Sequence, residues 1–342
     1  MTDSLSSCTS KRAAYAILAL LFLALAWNYR AVLLPGDGDR PEGELPPRPL
    51  ARPALLLVLP LAEFPRDADE AVSQIASWRK AGAQGVALTV CAWRTSPAAP
   101  RLEWFEGETA ELREALLLLR ENGMEPVVWA GISRARGDAG APAPVAPTDE
   151  WLAALARAAR DGGASAMILP RDVLASGSGD DPAISAARVA SLHRIYSGPL
   201  GLNISDTADA ARTADLPHIE FLALAPDADM DGRADSLRCA ALSLAAHRPV
   251  LLAAGTVRFV LHSALTMFTG ARESMLAAPA PGALDRARNA AGAPWLRGVV
   301  VDARTCADPA LLPQTQLLFA RVAGAGAAID KPARGTELRE AP

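Results

Sequence analysis

The chain has 342 residues, 51% hydrophobic and 21% charged, a length and balance that suit one large domain behind an N-terminal segment better than two small ones. A net charge of -4 offers no surplus of positive charge for a phosphate backbone, so nucleic acid is excluded as a partner. Cys8, Cys91, Cys239 and Cys306 lack CxxC spacing, and His193, His218, His247 and His262 form no HxH or HExxH pair, which argues against a zinc site and a metal-dependent hydrolase.

Residues 1–12 read as a cytoplasmic tail ending in Lys11 and Arg12. Ala13 to Trp27 is apolar throughout, and Ala31 to Leu34 extend it past Asn28, Tyr29 and Arg30, so that 13–34 supply the roughly 20 residues a bilayer requires. The two basic residues before the run, with Trp27 and Tyr29 at the far headgroup layer, place the N-terminus inside. The expectation is a single-pass anchor in the inner (cytoplasmic) membrane with the rest of the chain on the periplasmic side. The rival reading is a cleaved signal peptide, because Ala24-Leu25-Ala26 fits a small-x-small cleavage site. Both readings put the remainder of the chain outside the cytoplasm. Residues 35–53, PGDGDRPEGELPPRPLARP, have no apolar periodicity and read as a Pro-rich, semi-rigid tether.

After the tether, short apolar runs alternate with helical patterns, the signature of parallel strands joined by crossover helices. The strand runs begin at Ala54, Gly85, Glu125, Ala164, Pro199, His218, Pro249 and Leu296. Amphipathic stretches lie between them, including one from Asp67 and one from Thr109 that ends in the Asn122-Gly123 expected of a helix C-cap. Strands that are apolar on both faces must be covered on both faces. Closure satisfies that demand, and the predicted fold is α/β, a (β/α)8 TIM barrel over 54–325 preceded by one transmembrane helix. Arg134 to Pro147 reads as a long Pro- and Ala-rich loop, and 326–342 as a flexible tail.

Sites in such barrels lie at the C-terminal ends of the strands. The candidates there are Glu63, Trp93, Arg94, Trp129, Arg134, Arg171, Asp172, Asn203, Asp206, Asp227, Arg258, Asp302 and Arg304. Acids beside flat aromatic rings suit a sugar site, with Trp93, Trp129, Arg171, Asn203, Asp206 and Asp302 as ligand-binding residues. The alternative is that the arginines and carboxylates simply pair across the rim. Cys91 and Cys306 also fall near this rim, and two free thiols are favoured over a disulfide. Asp227-Ala228-Asp229-Met230-Asp231-Gly232, with Asp235, matches part of a calcium loop, but Arg238 stands where the bidentate glutamate belongs. An acidic helix-capping loop is the preferred reading, with no metal and no cofactor.

Trp295-Leu296-Arg297-Gly298, Ile195-Tyr196-Ser197-Gly198-Pro199-Leu200 and Arg248-Pro249-Val250-Leu251-Leu252 resemble glycoside hydrolase family 113 and related clan A barrels. That resemblance implies a retaining mechanism, with a glutamate acid/base ending strand four and a glutamate nucleophile ending strand seven. The strand-four motif falls on Leu169-Pro170-Arg171-Asp172, which puts Asp172 at the catalytic acid/base position, and the strand-seven motif puts Ala254 at the nucleophile. Strand eight ends Val299-Val300-Val301-Asp302 and lacks the sugar-stacking tryptophan common in the clan. An alanine cannot form a glycosyl-enzyme bond, so retaining hydrolysis is not expected. The expected function is a catalytically inactive scaffold or accessory subunit, partnered with subunits of a membrane protein complex through the anchor helix and the barrel. The alternative is a glycan-binding protein or residual glycosidase acting on an envelope polysaccharide.

Overall fold

The computed structural model describes residue 50 and residues 54–93, 104, 107–133, 149–174, 182–204, 207–224, 232–254, 257 and 283–329. The anchor segment 13–34 and nearly all of the tether lie outside the described residues. Among the described residues no helix is long and apolar enough to cross a membrane.

Eight strands follow one another around a closed barrel: β1 Ala54–Pro60, β2 Gly85–Trp93, β3 Glu125–Ser133, β4 Ala166–Leu169, β5 Leu200–Asn203, β6 Ile219–Leu224, β7 Val250–Ala254 and β8 Leu296–Asp302. Every neighbouring pair is parallel, including β1 with β8. The connecting helices are α1 Ala68–Lys80, α2 Gly107–Glu121, α3 Asp149–Asp161, α4 Pro182–Ile195, α5 Thr207–Thr213, α6 Gly232–Ala246, α7 Ala283–Ala290 and α8 Leu312–Ile329. The last of these runs past residue 325, where the sequence suggests a tail.

Local chemistry sets the helix ends. Asp67 caps α1, its Oδ1 accepting from the amides of Asp69 at 3.0 Å and Glu70 at 2.9 Å. At the end of α2, Gly123 takes φ +77°, and the amides of Gly123 and Met124 return to the carbonyls of Arg120 and Leu119. This closure is open to glycine at little steric cost, and the same pattern ends α1 and α3.

The register fixes the stagger. Val58 pairs with Ala87, and, stepping up one residue on each new strand, Leu88 pairs with Val128, Trp129 with Ile168, Leu169 with Leu202, Asn203 with Ala223, Leu224 with Leu252, Ala253 with Val300, and Val301 with Leu57. One further step returns to Val58, so the ring closes with a stagger of about eight residues, the geometry of a packed eight-stranded barrel. It also sorts the lumen into layers drawn from alternate strands. Ala87, Ile168, Ala223 and Val300 form a wholly buried apolar layer. Above it lie Val58, Trp129, Asn203 and Ala253, and above those Thr89, Pro170 and Asp302.

Two apolar clusters result. One fills the lumen, with Leu56, Val127, Trp129, Phe221 and Leu251 among its members; the other lies between the sheet and the helices and holds Leu57, Leu88, Leu116, Leu222 and Val299. Phe221 fits the lower lumen because Gly201 has no side chain: a Cβ there would stand 2.4 Å from the ring. Gly201→Ala is therefore expected to destabilise the barrel by about 1–3 kcal/mol, read as a lowered denaturation midpoint. At the pole where the strands begin, Leu50 joins the lumen cluster, and the buried Arg297 donates from Nη2 to the Leu50 carbonyl at 3.0 Å.

Candidate functional site

Above Glu125 at its floor, the described lumen is apolar up to the layer of Ala87 and Ile168, and polar groups return near the C-terminal strand ends. Trp129 and Asn203 share the first mixed layer, Thr89 and Asp302 the next. Cys91 continues β2 upward, and Asp172 follows β4. The change from apolar to polar falls where a (β/α)8 barrel ordinarily carries its site.

Asp302 is nearly buried, and its carboxylate is held on both oxygens. Nε of Arg304 donates to Oδ1 at 3.1 Å, Nη2 to Oδ2 at 2.7 Å, and the Arg304 amide to Oδ1 at 2.9 Å. The Asp302 carbonyl accepts from the Thr305 hydroxyl at 2.7 Å, which in turn accepts from Thr315 at 3.2 Å. Rim pairing thus holds for Asp302 and Arg304, as for Arg171, which forms an ion pair with the buried Asp209 of α5.

Asp172 stands in a 3-10 turn, Arg171–Leu174, directly after β4. Three side chains pin this turn by its carbonyls: Arg188 on that of Val173 at 3.2 Å, and Arg212 and Ser185 on that of Leu174 at 2.8 and 3.3 Å. The half-buried Asp172 is therefore carried on a fixed piece of backbone.

Trp129 is fully buried in the lumen, beside Thr89 and Ile168 in the ladder, and its Nε1 has no hydrogen-bond partner. Its ring is core, with no face open to stack on a sugar. Asn203, half-buried in the same layer, is a polar group with some exposure. Trp93 ends β2 opposite Ser133, and its side chain lies outside the described residues. Arg94, Arg134, Asp206, Asp227, Arg258 and the first five residues of the calcium-loop pattern, 227–231, also lie outside them. Among the described residues no group of three or more His, Cys, Asp or Glu side chains could hold a metal ion.

Glu108 is the mouth residue that sequence reasoning overlooks. It lies in the first turn of α2, is 4% exposed, and has its carboxyl pushed up to about 8 by burial and then by the Glu111 charge one turn on. It bears in turn on Cys91, whose thiol burial raises far above its ordinary range, with Glu108 adding to the shift. Burial likewise pushes Cys306 up to about 11, with Asp302 adding to the rise and the Thr305 hydrogen bond opposing it. Cys91, Cys239 and Cys306 are all free and buried, so the thiol reading stands for Cys91 and Cys306. Thiols held in this protonated state are poor nucleophiles.

On β7 the lumen-facing residues are Leu251 and Ala253, whereas Ala254 packs into the cluster beneath the helices. The motif-based position for a nucleophile therefore falls on a side chain that faces away from the lumen. A shifted alignment does not supply one, because no Asp or Glu occurs between Asp235 and Glu273.

No known protein family and no curated protein matches this chain in sequence. Its fold is similar to solved structures of GH113 β-1,4-mannanases. One in complex gives a TM-score of 0.56 at 10% identity, covering 79% of this chain and 98% of that one. A second gives 0.53 at 9%, covering 80% and 99%. The GH113 β-mannanase of Alicyclobacillus acidocaldarius gives 0.52 at 12%, covering 80% and 97%. The likeness at these identities is one of fold: a glycoside-hydrolase-like (β/α)8 barrel.

Proposed function

We propose that this chain is a glycoside-hydrolase-like barrel without hydrolytic activity, tethered outside the cytoplasmic membrane by residues 13–34 and serving as a scaffold or accessory subunit of a membrane protein complex. The observation that carries the reading is the acid-free stretch through β7. A retaining glycosidase needs two carboxyl groups roughly 5 to 5.5 Å apart, and β7, where the resemblance places the second, has no acid to supply it. A barrel that has lost its chemistry still offers a rigid surface, since fold and function separate readily. The apolar run 13–34 and the Pro-rich 35–53 support the tethered placement. Purification of the full chain from membranes in mild detergent is expected to bring down stoichiometric partners. Recovery of a lone monomer from intact membranes counts against the reading.

A second reading, a glycan-binding barrel, is favoured by one observation, the polar side chains in the last two layers at the strand ends, Asn203 and, above it, Thr89 and Asp302. Its signature is a rise in melting temperature with manno- or gluco-oligosaccharides that Asn203→Ala abolishes.

A further inference from the structure

We propose that His193 and His218 form an acid-opened latch that ties the end of α4 to the start of β6. His193 lies in the last turn of α4 and His218 in the turn before β6, at the pole where Leu50 meets the lumen. Their rings stack face to face, with centroids 3.9 Å apart and planes inclined by 12°. His218 holds φ at +64°, in the left-handed region that side-chain-bearing residues seldom occupy. A residue in that region persists when its surroundings hold it there, and the ring contact with His193 is such a restraint. Nδ1 of His193 is buried without a hydrogen-bond partner. That nitrogen adds no hydrogen bond of its own to hold the ring.

The stack suits two neutral rings or a pair in which one ring carries a proton; a second proton would set two cations face to face. The pKa of His193 is lowered, first by burial and then by His218, while Glu220 on β6 opposes the shift. Other charged groups on the surrounding elements are Arg194 on α4, Asp215 in the turn before His218, and Arg248, whose Nε donates to the Ile219 carbonyl at 2.7 Å. Arg160 and Asp161, at the end of α3, are paired with each other at 2.8 Å. Tyr196, just past α4, is engaged through its hydroxyl with the Ala164 carbonyl at 3.0 Å. A lowered imidazole favours the closed form fully above its ordinary value of 6.5 and progressively less as the pH falls below it. Opening separates the rings and frees His218 to leave its left-handed conformation.

Hydrogen exchange on the full chain tests the latch. Between pH 7.5 and 5.0, after correction for intrinsic chemical exchange, amides in segments 190–197 and 213–221 are expected to exchange about tenfold faster, while β2 and β3 stay constant. His218→Asn keeps a residue that tolerates the left-handed backbone and removes the stacking ring. His193→Gln removes the partner. In both variants the acid response is expected to vanish. Equal protection of the wild type at the two pH values overturns the proposal, as does an unchanged acid response in the two variants.

Discussion

Replacing Trp129 by alanine is expected to lower the unfolding free energy by about 3–5 kcal/mol, the cost of emptying a large aromatic from a close-packed core. In a barrel of this size the melting temperature should fall by roughly 10 °C. The expectation rests on the lumen layering: Trp129 fills the width of the barrel with Val58, Asn203 and Ala253, above a layer with no polar side chain. Trp129→Phe should cost clearly less, because most of the bulk is kept and the indole N–H has no hydrogen bond to lose. Calorimetry of the two variants checks this. Near wild-type stability of Trp129→Ala would mean that the ring belongs to the rim and not to the core.

The second large effect is a gain. Glu108→Gln is expected to stabilise the protein at alkaline pH and to be nearly neutral in acid. The folded carboxyl, raised to about 8 from 4.5, holds its proton where the unfolded chain has released it. The folded state thus binds more protons than the unfolded state between those two values, and stability falls as the pH climbs from 4.5 to 8. Above 8 the accumulated loss is about 5 kcal/mol at about 1.4 kcal/mol per unit, and glutamine removes it. Denaturant titrations at pH 5 and pH 9 give the comparison. Equal differences between variant and wild type at both pH values would contradict a neutral, buried Glu108.

Much of the fold was legible because a closed parallel barrel buries its strands on both faces, leaving unbroken apolar runs that announce themselves. Four of the eight predicted starts, Ala54, Gly85, Glu125 and Leu296, coincide with the strands, and the rest begin within two residues of the prediction. The same property hid the site. A strand that is apolar on both faces carries no alternation to show which side chains enter the lumen, so Trp129 read as a rim platform and Ala254 as a lumen position. Following the ladder from Thr89 and Trp129 supplies the missing parity, and Thr89 was itself a clue, as a polar residue within an apolar run. Glu108 escaped notice because a glutamate at the start of an amphipathic helix usually faces solvent. Its burial is a tertiary fact with no local signal. Asp302 and Asp172, by contrast, were found simply by being carboxylates at strand ends.

The claim that the barrel lacks hydrolytic chemistry is open to one direct measurement, product release from a panel of polysaccharides by the full-length chain, with Asp172→Asn beside it. Product at the level of a no-protein control, identical for wild type and variant, is the predicted result. Turnover by the wild type that disappears in Asp172→Asn would contradict it and make Asp172 a working acid.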